Sequence, residues 1–212
     1  MKILEIKDLT YAYADSREKV LAKANQSFEL GKFYAIIGKS GAGKSTLLSL
    51  LAGLDEPDGG AVLFNGCDIR GTGYSNHRKN DISLVFQNYN LIDYLSPIEN
   101  VRLVNRHASE EILLELGLDE KQIRRNVMKL SGGQQQRVAI ARALTSSAPV
   151  ILADEPTGNL DESTASEIIE ILKKLAKELN KCVVVVTHSK EVARAADVVL
   201  ELKNKKINNR RG

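Results

Sequence analysis

"FYAIIGKSGAGKSTLLSLLAGL", Phe33 to Leu54, is the stretch that decides the fold. "FYAII" is a short, wholly apolar run, the mark of a strand covered on both faces. "STLLSLLAGL" reads as a helix that closes before Pro57. Between them Gly38, Gly43, Lys44 and Ser45 match G-x-x-x-x-G-K-[ST] in the strand–loop–helix setting the motif needs. Glycines let backbone amides turn inward and cradle phosphates. Lys44 supplies positive charge to the β- and γ-phosphates, and the Ser45 hydroxyl is placed to ligate Mg²⁺.

Upstream, "ILEIKDLTYAY" and "ANQSFEL" alternate like half-exposed strands. Downstream, "AVLFNGCDI" predicts a hairpin turning at Asn65-Gly66, and "ISLVFQ" a further strand. From Asn88 to about Leu144 the pattern is helical, notably in "SEEILLELGL". "VILADEP" and "CVVVVTH" return to buried-strand character. The segment between them, "DESTASEIIEILKKLAKEL", predicts an amphipathic helix with Ile168, Ile169, Leu172, Leu175 and Leu179 on one face. Alternating strands and helices imply a mainly parallel sheet, which binds ligands beyond the carboxyl ends of its strands. Four such ends carry polar or glycine-rich chemistry: Gly38, Gln87, Asp154 with Glu155, and His188. If the strands are parallel neighbours, these endings converge on one site.

Asp154 and Glu155 alone could be a cap or a solvated turn. Beside a phosphate loop they divide two tasks: Asp154 holds Mg²⁺, and Glu155 orients and polarises the attacking water. A second anion-gripping element stands at Leu130 to Leu144, "LSGGQQQRVAIARAL". Ser131 caps its helix, with Gln134 at capping-box spacing, and a glycine-led helix start is an anion site.

The chain has 212 residues, 43% apolar and 27% charged, enough for a real core. A net charge of +3 is too small to argue for nucleic acid. The basic end, "KNKKINNRRG", reads as a solvated tail. Cys67 and Cys182 form neither a metal spacing nor a disulfide framework, which fits a reducing compartment. No apolar run approaches the roughly 20 residues of a membrane span. The expectation is a protein soluble by itself, dependent on another chain for any work across a membrane.

The order "GKSGAGKST", Gln87, "LSGGQ", "VILADEP", "NLD", "TH" resembles the ATPase subunit of an ATP-binding cassette (ABC) transporter, over essentially the whole chain. The resemblance implies an α/β fold: a P-loop NTPase core of mainly parallel sheet, an N-terminal antiparallel β subdomain and an inserted α-helical subdomain. It divides the chain into residues 1–87 and 145–212, the ATP-binding core, and 88–144, the helical subdomain with the signature motif. It implies ATP and Mg²⁺ as cofactors. Gly38, Lys39, Ser40, Gly41, Ala42, Gly43, Lys44, Ser45 and Thr46 would grip the phosphates, and Ser45, Gln87 and Asp154 the metal. Glu155, His188, Gln87 and Lys44 would carry the chemistry, with His188 on the γ-phosphate. Ser131, Gly132, Gly133 and Gln134 would bind the nucleotide held by a second copy, head to tail, so that two chains bury two ATP molecules. Asp161 would couple the sites, although it is equally placed to cap the following helix. Tyr13 would stack on adenine, with Tyr11 the competing candidate.

"FQNYNLIDYLSPIENV", "LSGGQQQRVAIARAL" and "ILADEPTGNLD" resemble the lipoprotein-release and macrolide- or peptide-export group. This implies a separate integral membrane permease as partner, no nucleic acid, and a place on the inner face of the cell membrane. The alternative is the cell-division type, which activates wall enzymes and transports nothing. The departures are Lys39 in place of a proline, no proline before "LSGGQ", and a short helical region.

Overall fold

Five parallel strands form the backbone of the molecule: β3 (Phe33–Ile37), β6 (Ile82–Val85), β7 (Val150–Asp154), β8 (Cys182–Val186) and β9 (Val198–Lys203). With β10 (Lys206–Asn209) antiparallel at one edge, the order is β10-β9-β3-β8-β7-β6. A second sheet is antiparallel, in the order β2-β1-β4-β5, from β1 (Lys2–Ala12), β2 (Lys19–Glu29), β4 (Gly59–Phe64) and β5 (Cys67–Asp68). This computed structural model describes residues 1–14 and 18–210.

The helices are α1 (Lys44–Leu51), α2 (Ile69–Thr72), α3 (Tyr74–Asn76), α4 (Pro97–Arg102), α5 (Glu111–Glu115), α6 (Glu120–Arg124), α7 (Gly132–Leu144), α8 (Glu162–Lys177) and α9 (Lys190–Ala195). Four of them, α4 to α7, lie between Asn88 and Leu144, where the sequence turns helical. α4 and α6 open on capping boxes, Ser96 with Glu99 and Asp119 with Gln122.

The parallel strands are apolar throughout because both faces of their sheet are covered. Phe33, Ala35, Ile151, Ala153, Val183 and Val185 pack on one face against Val138 and Ile140 of α7 and Ile168 and Leu172 of α8. Tyr34, Ile36, Val150, Leu152, Val184 and Val186 pack on the other, against Leu47, Leu50 and Leu51 of α1 and Leu4 and Ile6 of β1. Each fully buried Val, Leu, Ile or Phe side chain among them contributes roughly 1.5–3 kcal/mol. Cys182 lies in the second cluster, where burial pushes its thiol up to about 12. Cys67 is exposed, and both cysteines are free.

Asn65 and Gly66, both at positive φ, turn β4 into β5, as their pairing in sequence predicts. Two expectations are corrected. α8 ends at Lys177, so Leu179 falls beyond the helix and is exposed, and Ala176 joins Ile168, Ile169, Leu172 and Leu175 in the buried stripe. The basic end is not a tail: β9 and β10 form a hairpin, turning through Asn204 and Lys205 at positive φ. β9 is held in the sheet by parallel pairing to β3, with Leu200 and Leu202 buried. The last residues of the basic end, Arg211 and Gly212, lie outside the described residues.

Candidate functional site

The carboxyl ends of β3, β6, β7 and β8 meet as the parallel topology requires. A cavity of about 410 Å³ at these ends is lined by Lys44, Ser45, Gln87, Asp154, Glu155 and His188. Tyr13, Val20, Ser40, Gly41, Gly43 and Thr46 complete its wall.

The loop between β3 and α1 explains its own glycines. Gly43 stands at φ 96°, and a Cβ there would lie 2.3 Å from Val20 Cγ1. Gly43 is also the N-cap of α1 and offers no side-chain acceptor, so the first amides of this helix are left for an anion. Lys44 turns back into the loop, where Nζ donates to the carbonyls of Gly38 (3.0 Å) and Lys39 (3.3 Å). Gly38 and Lys39 themselves line a neighbouring cavity of about 610 Å³, which shares His188 with the first. This neighbour is the larger of the two, but it lacks Ser45, Gln87, Asp154 and Glu155, which converge only on the smaller one. Ala42 packs against the second core cluster and lines a different cavity, with Val20 and Leu202.

The Ser45 hydroxyl and the Asp154 carboxyl face the same cavity. Half-burial raises the Asp154 carboxyl above the usual range, helped by Glu155 and opposed by Ser45 and Lys44. A hydroxyl, a carboxylate and the Gln87 amide thus share one wall, an all-oxygen donor set of the kind a hard divalent cation takes together with phosphate oxygens.

Glu155 follows β7 with φ at 43°, an uncommon conformation for a non-glycine residue. Its amide donates to Val186 O (2.9 Å) and its carbonyl accepts from Gly158 N (3.0 Å). Its carboxylate accepts from Thr187 Oγ1 (2.9 Å) and His188 N (3.3 Å) on Oε2, and pairs with His188 Nδ1 (2.8 Å) on Oε1. Thr187 is a residue the sequence reading passed over. It looks like one more β-branched residue after four valines, and only the pairing of β7 with β8 brings it to Glu155. Gln87 is held from the side, its carbonyl accepting from Asn159 Nδ2 (3.4 Å).

Tyr13 is half exposed at the mouth, with its hydroxyl 2.6 Å from Thr46 Oγ1. Tyr11 packs edge-on against it at 5.3 Å and lies against the core instead of the cavity. Ser131, Gly132, Gly133 and Gln134 do not line the cavity at all. Ser131 caps α7 by accepting from Gln134 N (3.3 Å), and Gln134 Oε1 accepts from Ser131 N (3.0 Å), the capping box its spacing predicts. Gly133 has a local reason: a Cβ there would meet Thr164 Cγ2 at 2.6 Å. Thr164 is fixed by Asp161, which accepts from its amide (3.0 Å) and hydroxyl (2.8 Å) as the N-cap of α8.

Residues 21–158 match the family model described as ABC transporter. The chain is 41% identical to an uncharacterised ABC transporter ATP-binding protein, YclH of Bacillus subtilis, over 95% of this chain and 94% of that protein. It is 40% identical to the lipoprotein-releasing system ATP-binding protein LolD of Rickettsia bellii, over 98% of each. Among solved structures it is similar to the dimeric cassette MJ0796 of Methanocaldococcus jannaschii, with TM-score 0.87 and 38% identity over 99% of this chain and 100% of that one. A second structure of MJ0796, a post-hydrolysis dimer bound to ADP and Pi, matches with TM-score 0.87 and 36% identity over the same shares.

Proposed function

The chain belongs to the ABC transporter family, as an ATP-binding subunit and ATPase, and from that premise we propose that it powers an exporter of peptide or lipophilic substrate. In this reading it works as a head-to-tail homodimer on a separate integral membrane permease, at the inner face of the cell membrane. The described residues include no helix long and apolar enough to cross a membrane, and in this reading the span belongs to the partner. The likeness to LolD supports the exporter class. Residues 1–87 and 145–212 are assigned to the ATP-binding core and 88–144 to the helical subdomain.

One observation carries the dimer: a single cavity gathers Lys44, Ser45, Gln87, Asp154, Glu155 and His188, while the signature glycines stand outside it. Ser131 is exposed at the start of α7. In the reading, that start reaches the γ-phosphate held by Lys44 of a second copy, as the dimeric form of MJ0796 encourages. Tyr13, at the mouth, stacks on adenine.

For hydrolysis, Lys44 and the amides of the glycine loop neutralise phosphate charge, and His188 holds the γ-phosphate. Glu155 accepts the proton of the attacking water as its oxygen bonds to the γ-phosphorus and the bond to the bridging oxygen of ADP breaks. Ser45, Asp154 and Gln87 would hold Mg²⁺, which when bound supplies charge neutralisation to the β- and γ-oxygens.

The test is Glu155→Gln. It keeps shape and hydrogen bonding but cannot take the proton, so ATP binds with unchanged affinity and turnover stops. Wild-type turnover in this variant overturns the assignment.

A further inference from the structure

We propose that Thr187 is a positioning residue that permanently anchors one oxygen of the Glu155 carboxylate, while His188 is the releasable holder of the other. The inference rests on Glu155 as the base of the ATPase reaction.

Thr187 is fully buried, and its amide is tied to Ile36 O (3.0 Å) at the end of β3. Its hydroxyl has one proton to give. Ser189 N donates to Oγ1 at 3.0 Å, which occupies an acceptor lobe and leaves the proton aimed at Glu155 Oε2, 2.9 Å away. Packing alone asks for no hydroxyl here: the four preceding residues, Val183 to Val186, are valines, and valine has the same shape as threonine. The oxygen accepts from the Ser189 amide, and its proton is accounted for by the carboxylate it holds.

His188 is the opposite case. Its imidazole side chain is 73% exposed, and Nδ1 bonds Glu155 Oε1 at 2.8 Å. An exposed ring on the cavity wall can rotate toward a bound phosphate, whereas a buried β-branched side chain cannot leave its rotamer. When the ring turns away, Oε1 is freed for water. Oε2 stays held by the Thr187 hydroxyl and, at the longer 3.3 Å, by the His188 amide, with the Glu155 backbone pinned to Val186 O. The carboxylate then faces its water without gaining rotational freedom, which is the geometric advantage an anchored base provides.

The experiment compares Thr187→Val, Thr187→Ser and Glu155→Gln in the full-length chain, measuring steady-state ATPase kinetics and equilibrium ATP binding. Thr187→Val should lower kcat roughly tenfold to a hundredfold, the size expected for losing a hydrogen bond to a charged group, with the KM for ATP and ATP affinity unchanged. Thr187→Ser restores the hydroxyl and should restore kcat to within about threefold of wild type. If Thr187→Val does not fold, Thr187→Cys, a weak donor of similar size, should show the same fall in kcat. The proposal is overturned if Glu155→Gln is inactive but the valine or cysteine variant turns over like wild type. It is equally overturned if serine fails to restore kcat, or if ATP affinity falls in step with kcat. Normal turnover in Glu155→Gln would instead remove the base itself, and the anchoring role with it.

Discussion

At the scale of single residues, the site is built from side chains whose neighbours hold them against their preferences. Glu155 keeps φ at 43° because its amide, carbonyl and carboxylate are all engaged. Tyr13 is the opposite, a half-exposed ring restrained by one hydroxyl contact to Thr46. Stacking needs the ring and not the hydroxyl. Tyr13→Ala should therefore weaken ATP binding by about 1–3 kcal/mol, while Tyr13→Phe binds like wild type. Equilibrium titration with a fluorescent ATP analogue checks both, and a loss confined to Tyr11→Ala would move the stacking role to that residue. The phosphate loop, the acidic pair and His188 were legible in the sequence because each closes a strand in a fixed motif. Thr187 was not, because a threonine after four valines acquires its meaning from Glu155, 32 residues away in the chain.

At the scale of elements, the parallel strands were legible because a strand covered on both faces must be apolar along its length. The C-terminal hairpin was hidden for the complementary reason. β10 is an edge strand of lysine and asparagine with a single Ile207, and polar edge strands read like tails. Leu179 misled by periodicity, since α8 stops before reaching it. One residue ties these elements to the sheet without touching the cavity. Asp197 accepts from Phe33 N (2.8 Å) at the start of β3 and pairs with Lys177 (2.7 Å) at the end of α8. Burial pushes its carboxyl upward, but the Lys177 ammonium and the Phe33 amide outweigh that and hold it below the usual range. A lowered carboxyl stabilises the fold fully above its unfolded pKa of about 3.9 and loses that contribution as pH falls through the folded value. Asp197→Asn should cost about 1 kcal/mol at pH 7, a figure discounted for partial exposure. The gap between variant and wild type should begin to narrow near pH ~3.9 and close once pH has fallen past the lower folded value. Urea unfolding midpoints at the two pH values measure it, and an equal gap at both would show that the charge plays no part.

At the scale of the whole molecule, the chain carries a phosphate loop and a signature helix that do not meet in one cavity. Sequence motifs list both parts but hold no record of their separation. The fold supplies it, by seating α7 on one face of the parallel sheet and α1 on the other. In the proposed dimer, a second copy arranged head to tail would bring a signature helix to each loop, so that ATP would link the chains and its hydrolysis release them. Ser131 offers a direct way to break that link without harming the helix it caps. Aspartate is as good an N-cap as serine, yet it would place a negative charge where the proposed dimer brings the γ-phosphate. The measurement is sedimentation equilibrium with saturating Mg-ATP, comparing Glu155→Gln with the double variant Glu155→Gln, Ser131→Asp. The first should sediment at twice the mass of the chain, and the second at the mass of one chain with ATP still bound. A double variant that dimerises as well as the single one would contradict the shared site.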